Sequence, residues 1–120
     1  MLAYALDRRP EKPVDFEERL DEGELIYQWR KHPDLHGWME NLYRLKDGKD
    51  KMFNTSTLVL DSDDLDRLEK VVRANELPHT TGYFFGASQY PEDTNSTLEF
   101  IAKARAAIAS GKTVFYTSWW

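Results

Sequence analysis

A proline set inside an otherwise periodic apolar stretch constrains this chain most. From Glu24 onward Leu25, Ile26, Trp29, Leu35, Met39 and Leu42 recur at roughly helical spacing, and Pro33 falls in the middle of "YQWRKHPDLHG", residues 27–37. Proline lacks an amide hydrogen and disfavours the helical conformation of the residue before it, here His32. A helix over this stretch therefore kinks, or restarts with Pro33 in its first turn. On a continuous helix Trp29 and His36 share a face, while Arg30 and Lys31 turn away from it.

The flanking segments read more simply. Leu2, Tyr4 and Leu6 alternate with small residues as a short strand does, and "RRPEKPVDFEERLDEG" is a polar connection. "LKDGKDKM" is a turn centred on Asp47-Gly48, and "STLVLD" is a strand. Asp61 or Ser62 caps a helix with Asp63 and Asp64 in its first turn and Leu65, Leu68 and Val72 on its apolar face. "GYFFGA" reads as a buried strand. Thr94–Ser96 caps a third helix with Leu98, Ile101, Ala104 and Ile108 facing inward and Gly111 as its C-terminal cap. "KTVFYTSWW" is the final strand.

The expected order is strand, helix, strand, helix, strand, helix, strand. It predicts one α+β (or small α/β) domain over residues 1–120, with about three to four strands against about three helices. Helices before the last two strands suit right-handed crossovers in a sheet covered mainly on one face.

Composition narrows the chemistry. With 41% apolar and 31% charged residues the chain is of ordinary soluble type, and six Phe, six Tyr and four Trp supply area for a core. A formal charge of −5 disfavours nonspecific nucleic-acid binding. The absence of cysteine removes disulfides, thiolate metal ligands and thiol nucleophiles. No apolar run spans a bilayer and the opening residues are not a secretory signal, so an intracellular, cytoplasmic protein is expected.

Known motifs fail at specific positions. His32 and His36 are four apart, as two metal ligands on a helix turn are, but Pro33 spoils that turn, so no metal and no cofactor are expected. Gly86-Ala87-Ser88-Gln89-Tyr90 has the first glycine and the serine of a nucleophile elbow, and Tyr90 where the second glycine belongs. Gly111-Lys112-Thr113 lacks the upstream glycine of a phosphate loop and precedes a strand. Trp119 and Trp120 point to opposite faces of a strand, so one is exposed, docked on a helix, or buried against another chain, which raises a homo-oligomer formed through this end.

"WRKHPDLHGWM", "LPHTTGYFFGAS" and the final "YTSW" together resemble a family of small uncharacterised bacteriophage and prophage proteins. Its members carry Tyr-Trp-Arg-Lys, a histidine a few positions on, Leu-Pro-Thr before Gly-Phe-Phe-Phe-Gly, and a terminal Gln-x-Ser-Trp. The resemblance covers positions 24 to 119. It singles out Trp29, Arg30, Lys31, His36, Leu77, Pro78, Gly82, Phe84, Phe85, Gly86, Ser118 and Trp119; Gln28 and Tyr83 depart from the pattern. Some members bear the label phosphoglycerate kinase, which neither this length nor the lack of a nucleotide loop supports. The resemblance implies a phage or prophage origin and the cytoplasm of a bacterial host.

The leading expectation is a non-enzymatic accessory protein that binds a host protein or a small anionic ligand. Its expected site is Trp29, Arg30, Lys31, His36, Phe85, Gly86, Ser118 and Trp119, with guanidinium as the anion fork and indole as a stacking surface. The alternative is a small enzyme acting on a phosphate ester or nucleotide, with His36 as acid/base and Arg30 holding charge. Nucleic-acid mimicry by the acidic runs "DFEERLDEGE" and "DSDDLD" is a third class, although ordinary solvated faces explain those runs.

Overall fold

The computed structural model describes residues 1–17, 23–80 and 87–119. Strand β1 (Leu2–Leu6) is followed by β2 (Gly23–Gln28), helix α1 (Pro33–Leu45), β3 (Leu58–Leu60), α2 (Ser62–Arg73), α3 (Glu92–Ala109) and β4 (Thr113–Thr117). The sheet order is β2-β1-β4-β3, and every pairing is antiparallel. The architecture is α+β. For the final strand the crossover expectation is corrected: a right-handed crossover links parallel strands, and no pair among the described strands is parallel. Residues 82–86 of the expected "GYFFGA" strand, Phe85 and Gly86 among them, lie outside the described residues.

The first half of the expected long helix is β2. Leu2 pairs with Gln28 and Ala3 with Tyr27, but Tyr4 pairs with Leu25, so the register slips past Ile26. An extra residue in one strand breaks the period of two, and the apolar residues then fall at intervals that imitate a helix. The helix begins where Pro33 permits, with Pro33 in its first turn and His32 at φ −146° and ψ 73°, outside the helical basin. Trp29, Arg30 and Lys31 are therefore not helical and share no helix face with His36.

One face of the sheet carries the main core. Ala3, Leu58, Leu60, Val114 and Tyr116 pack with Leu35, Met39 and Leu42 of α1, Leu65, Leu68 and Val72 of α2, and Phe100, Ile101 and Ala104 of α3. On the opposite face Leu6, Phe16 and Phe115 form a smaller cluster with Tyr4 and Val59. The Tyr4 ring stacks on Phe115 at 5.3 Å and Phe16 meets that ring edge-on at 5.2 Å. The segment after β1 is thus more than a polar connection. Its Pro13 carbonyl accepts the Val59 amide and its Asp15 amide donates to Thr57, which covers the outer edge of β3.

Helix ends follow their local chemistry. Asp61 caps α2 in a reciprocal box with Asp64. Helix α3 starts at Glu92, ahead of the expected Thr94–Ser96 cap, and Thr97 instead donates to the Asp93 carbonyl at 2.8 Å. Its buried face is Thr97, Phe100, Ile101 and Ala104; the expected Leu98 and Ile108 pack half-buried against the core, and Phe100 is an inward position the spacing did not name. Gly111 adopts φ +91°, its amide donates to Ile108 and the Lys112 amide to Ala107, the paired bonds of a left-handed C-terminal cap. Among the described residues no helix is long and apolar enough to cross a membrane.

Candidate functional site

The sheet register gathers most of the sequence-derived site at one end. Leu2 pairs with both Gln28 and Thr117, so the next residues, Trp29 and Ser118, flank Met1 on either side. The Trp29 amide donates to the Met1 carbonyl at 2.9 Å, and the Ser118 carbonyl accepts from Thr55 at 2.7 Å. Trp29 is 5% exposed, with its ring 4.7 Å from Tyr27, 4.8 Å from Phe100 and 6.4 Å from Tyr116. Arg30 and Lys31 are exposed beside it, and Trp119 is 79% exposed. Two buried donors here, Trp29 Nε1 and Ser118 Oγ, have no hydrogen-bond partner among the described residues.

His36 stands apart from this end chemically. It is fully buried, with Nδ1 2.6 Å from the Tyr116 hydroxyl and Nε2 3.0 Å from the Phe53 carbonyl. The carbonyl can only accept, so Nε2 carries the proton and Nδ1 accepts from the phenol. Burial pushes its pKa down to about 4, with the Phe53 carbonyl opposing. Both nitrogens are committed to the core, which places His36 away from any shared ligand with Arg30.

A second polar group forms where α1 begins; the sequence brought up His32, Ser88 and Tyr90 only within motifs that failed, and Asp34 and Thr80 not at all. His32 is fully buried and offers no side-chain cap, so the first free amide of α1 needs a partner from elsewhere. The Asp34 amide donates to Ser88 Oγ at 3.1 Å, and the same hydroxyl lies 2.8 Å from His32 Nδ1. Asp34 itself accepts the Thr80 amide on Oδ1 at 2.9 Å and the Tyr90 hydroxyl on Oδ2 at 2.8 Å. Burial, with the Asp34 carboxylate next, pushes the Tyr90 phenol up to about 12, so Tyr90 acts as a donor. One signal for this cluster was legible: a helix opening on His-Pro with no Ser, Thr, Asp or Asn as its cap.

The Ser88–His32 pair falls short of a nucleophile and base. The nearest carboxylate to the ring, Asp93, lies 3.8 Å from the same nitrogen that faces Ser88, and Nε2 has no partner among the described residues to orient the ring. Burial lowers the His32 pKa against the opposing pull of Asp93 and Asp34. Ser88 serves as a cap for α1 supplied from a distant segment. A cleft of about 410 Å³ adjoins this cluster, lined by Asp34, Val72, Asn75, Leu77, Tyr90 and Thr94. Among the described residues no three His, Cys, Asp or Glu side chains are grouped to hold a metal ion.

Gly37 allows the 78–80 segment to dock here. A Cβ at this position would overlap the Thr80 hydroxyl and sit 3.1 Å from its Cβ. Gly37→Ala is therefore expected to destabilise the fold by about 1–3 kcal/mol, the cost of overpacking, although alanine favours an exposed helix by about 1 kcal/mol. Urea unfolding of the variant measures this, and a stabilised variant would show that the segment yields without cost.

No family model matches the chain, and neither a curated protein nor a solved structure matches it.

Proposed function

We propose that this chain is a phage- or prophage-encoded accessory protein that binds a small anion, a carboxylate or phosphate, at the sheet end where Trp29–Lys31 meet Ser118–Trp119. One observation carries the reading. Among the described residues Trp29 Nε1 and Ser118 Oγ are buried donors without acceptors, and the two residues that follow Trp29 in the chain, Arg30 and Lys31, are exposed cations with no carboxylate partner. An unsatisfied buried donor costs about 1–3 kcal/mol, and an acceptor-only ligand offsets that cost. Arg30 contributes a planar two-point contact, Lys31 a mobile point charge, and the exposed Trp119 ring a surface for stacking. The resemblance to phage proteins supports the origin.

Thermal unfolding with phosphate, citrate or acetate, at an ionic strength fixed with chloride, tests the proposal. At least one of these anions should raise Tm, and Arg30→Gln should weaken its binding at least tenfold, the loss of a charge-assisted bond worth about 1.5–3 kcal/mol. Equal effects of all anions and chloride, or an unchanged Arg30→Gln titration, would overturn it. Native mass spectrometry of the purified chain reads any retained anion and the oligomeric state together.

A further inference from the structure

We infer that the cleft beside the start of α1 is a binding site for a small organic ammonium compound, held by the Asp34 carboxylate. The inference is independent of the anion site, with different residues and the opposite ligand charge.

Two carboxylates among the described residues are nearly fully buried, Asp34 at 5% and Asp64 at 1% exposure. Each sits in the first turn of a helix, where the helix dipole favours negative charge. Their surroundings differ in one respect. Asp64 is clamped by Lys46 Nζ at 2.6 Å and by the Arg67 guanidinium. Asp34 has no lysine or arginine within ion-pair distance among the described residues. Its nearest basic nitrogen is His79 Nδ1, at 4.0 Å on a side chain that is 79% exposed. Buried carboxylates are ordinarily paired with a cation, and Asp34 is held here by two hydrogen bonds instead.

Asp34 also differs in opening onto a cavity. The cleft of about 410 Å³ lies within the size range of small-molecule sites. Thr80 and Tyr90 occupy one lone pair on each Asp34 oxygen, and each oxygen keeps another. Asn75 and Thr94 add oxygen acceptors on the wall, and Val72 and Leu77 line the remainder with hydrocarbon. Tyr90, 48% exposed, offers an aromatic ring to a cation. No lysine or arginine lies among these lining residues, and the net charge of −5 favours the approach of cations. An ammonium group on a compact apolar body matches each of these features.

Phenethylamine and butylamine, titrated at fixed ionic strength and followed by amide NMR shifts and by Tm, test the assignment, with 2-phenylethanol as the neutral control. The amines should shift the Asp34, Asn75 and Thr94 resonances saturably and raise Tm, and the alcohol should do neither. Asp34→Asn should weaken amine binding at least tenfold. Because that change also alters the acceptor for Thr80 and Tyr90, Leu77→Trp supplies a second variant that fills the cleft and leaves Asp34 intact. Leu77→Trp should abolish the shifts. Equal responses to amine and alcohol, no response at millimolar amine, or amine binding that persists in folded Leu77→Trp would each overturn the inference.

Discussion

Trp29→Ala is expected to cost about 3–5 kcal/mol of stability, the range for a large aromatic truncated inside a packed core. The indole is 5% exposed and its ring contacts bridge three elements: Tyr27 on β2, Phe100 on α3 and Tyr116 on β4. The backbone bond from Trp29 to Met1 survives the substitution, so the loss measures side-chain packing alone. Trp29→Phe should cost much less. It keeps an aromatic ring and removes a buried N–H that has no acceptor among the described residues. Urea unfolding of both variants decides the matter: a loss below about 1 kcal/mol for alanine would mark the indole as a surface group. The two variants also bear on the anion site, because phenylalanine keeps the packing and deletes the proposed donor. Anion binding that weakens in Trp29→Phe without a matching loss of stability would separate the ligand role from the core role.

How much of this was legible depends on the range of the interactions involved. Asp61 with Asp64, and Gly111 after α3, are local devices whose partners lie within a few residues, and both stand where the chain chemistry puts them. The alternation of β1 and the β-rich final run likewise survived. The run from Leu25 to Trp29 did not, because the slip at Ile26 gives a bulged strand a helix-like spacing. The histidines failed for a different reason. His36 finds its partners 17 and 80 positions away, and the Asp34 amide finds Ser88 54 positions away. No periodicity encodes contacts of that separation. Trp29, Arg30, Lys31, Ser118 and Trp119 did come to one end of the sheet, through strand register rather than through the helix face first expected.

Acid should unfold this protein earlier than its carboxylates alone require, because of His36. An unfolded histidine has a pKa of 6.5 and the folded His36 about 4, lowered by burial. Between those values the unfolded chain binds a proton that the folded chain refuses, so stability falls as pH falls. The contribution is complete above pH 6.5. It declines by about 1.4 kcal/mol per pH unit at most, and roughly 3 kcal/mol is gone near pH 4. Protonation of Nδ1 replaces its acceptor role toward the Tyr116 hydroxyl with a second donor, inside a fully buried site. His32 is shifted in the same direction, because its burial outweighs Asp93 and Asp34, and it adds to the slope. Urea unfolding at intervals from pH 7.5 to 5 measures the dependence where most carboxylates are still ionised. His36→Gln should be less stable than the parent at pH 7.5 yet flatter across that window, and the double change with His32→Gln flatter still. A parent curve that stays level down to pH 5 would mean that the His36 ring accepts a proton in the folded state, which its burial and the acceptor role of Nδ1 toward Tyr116 oppose.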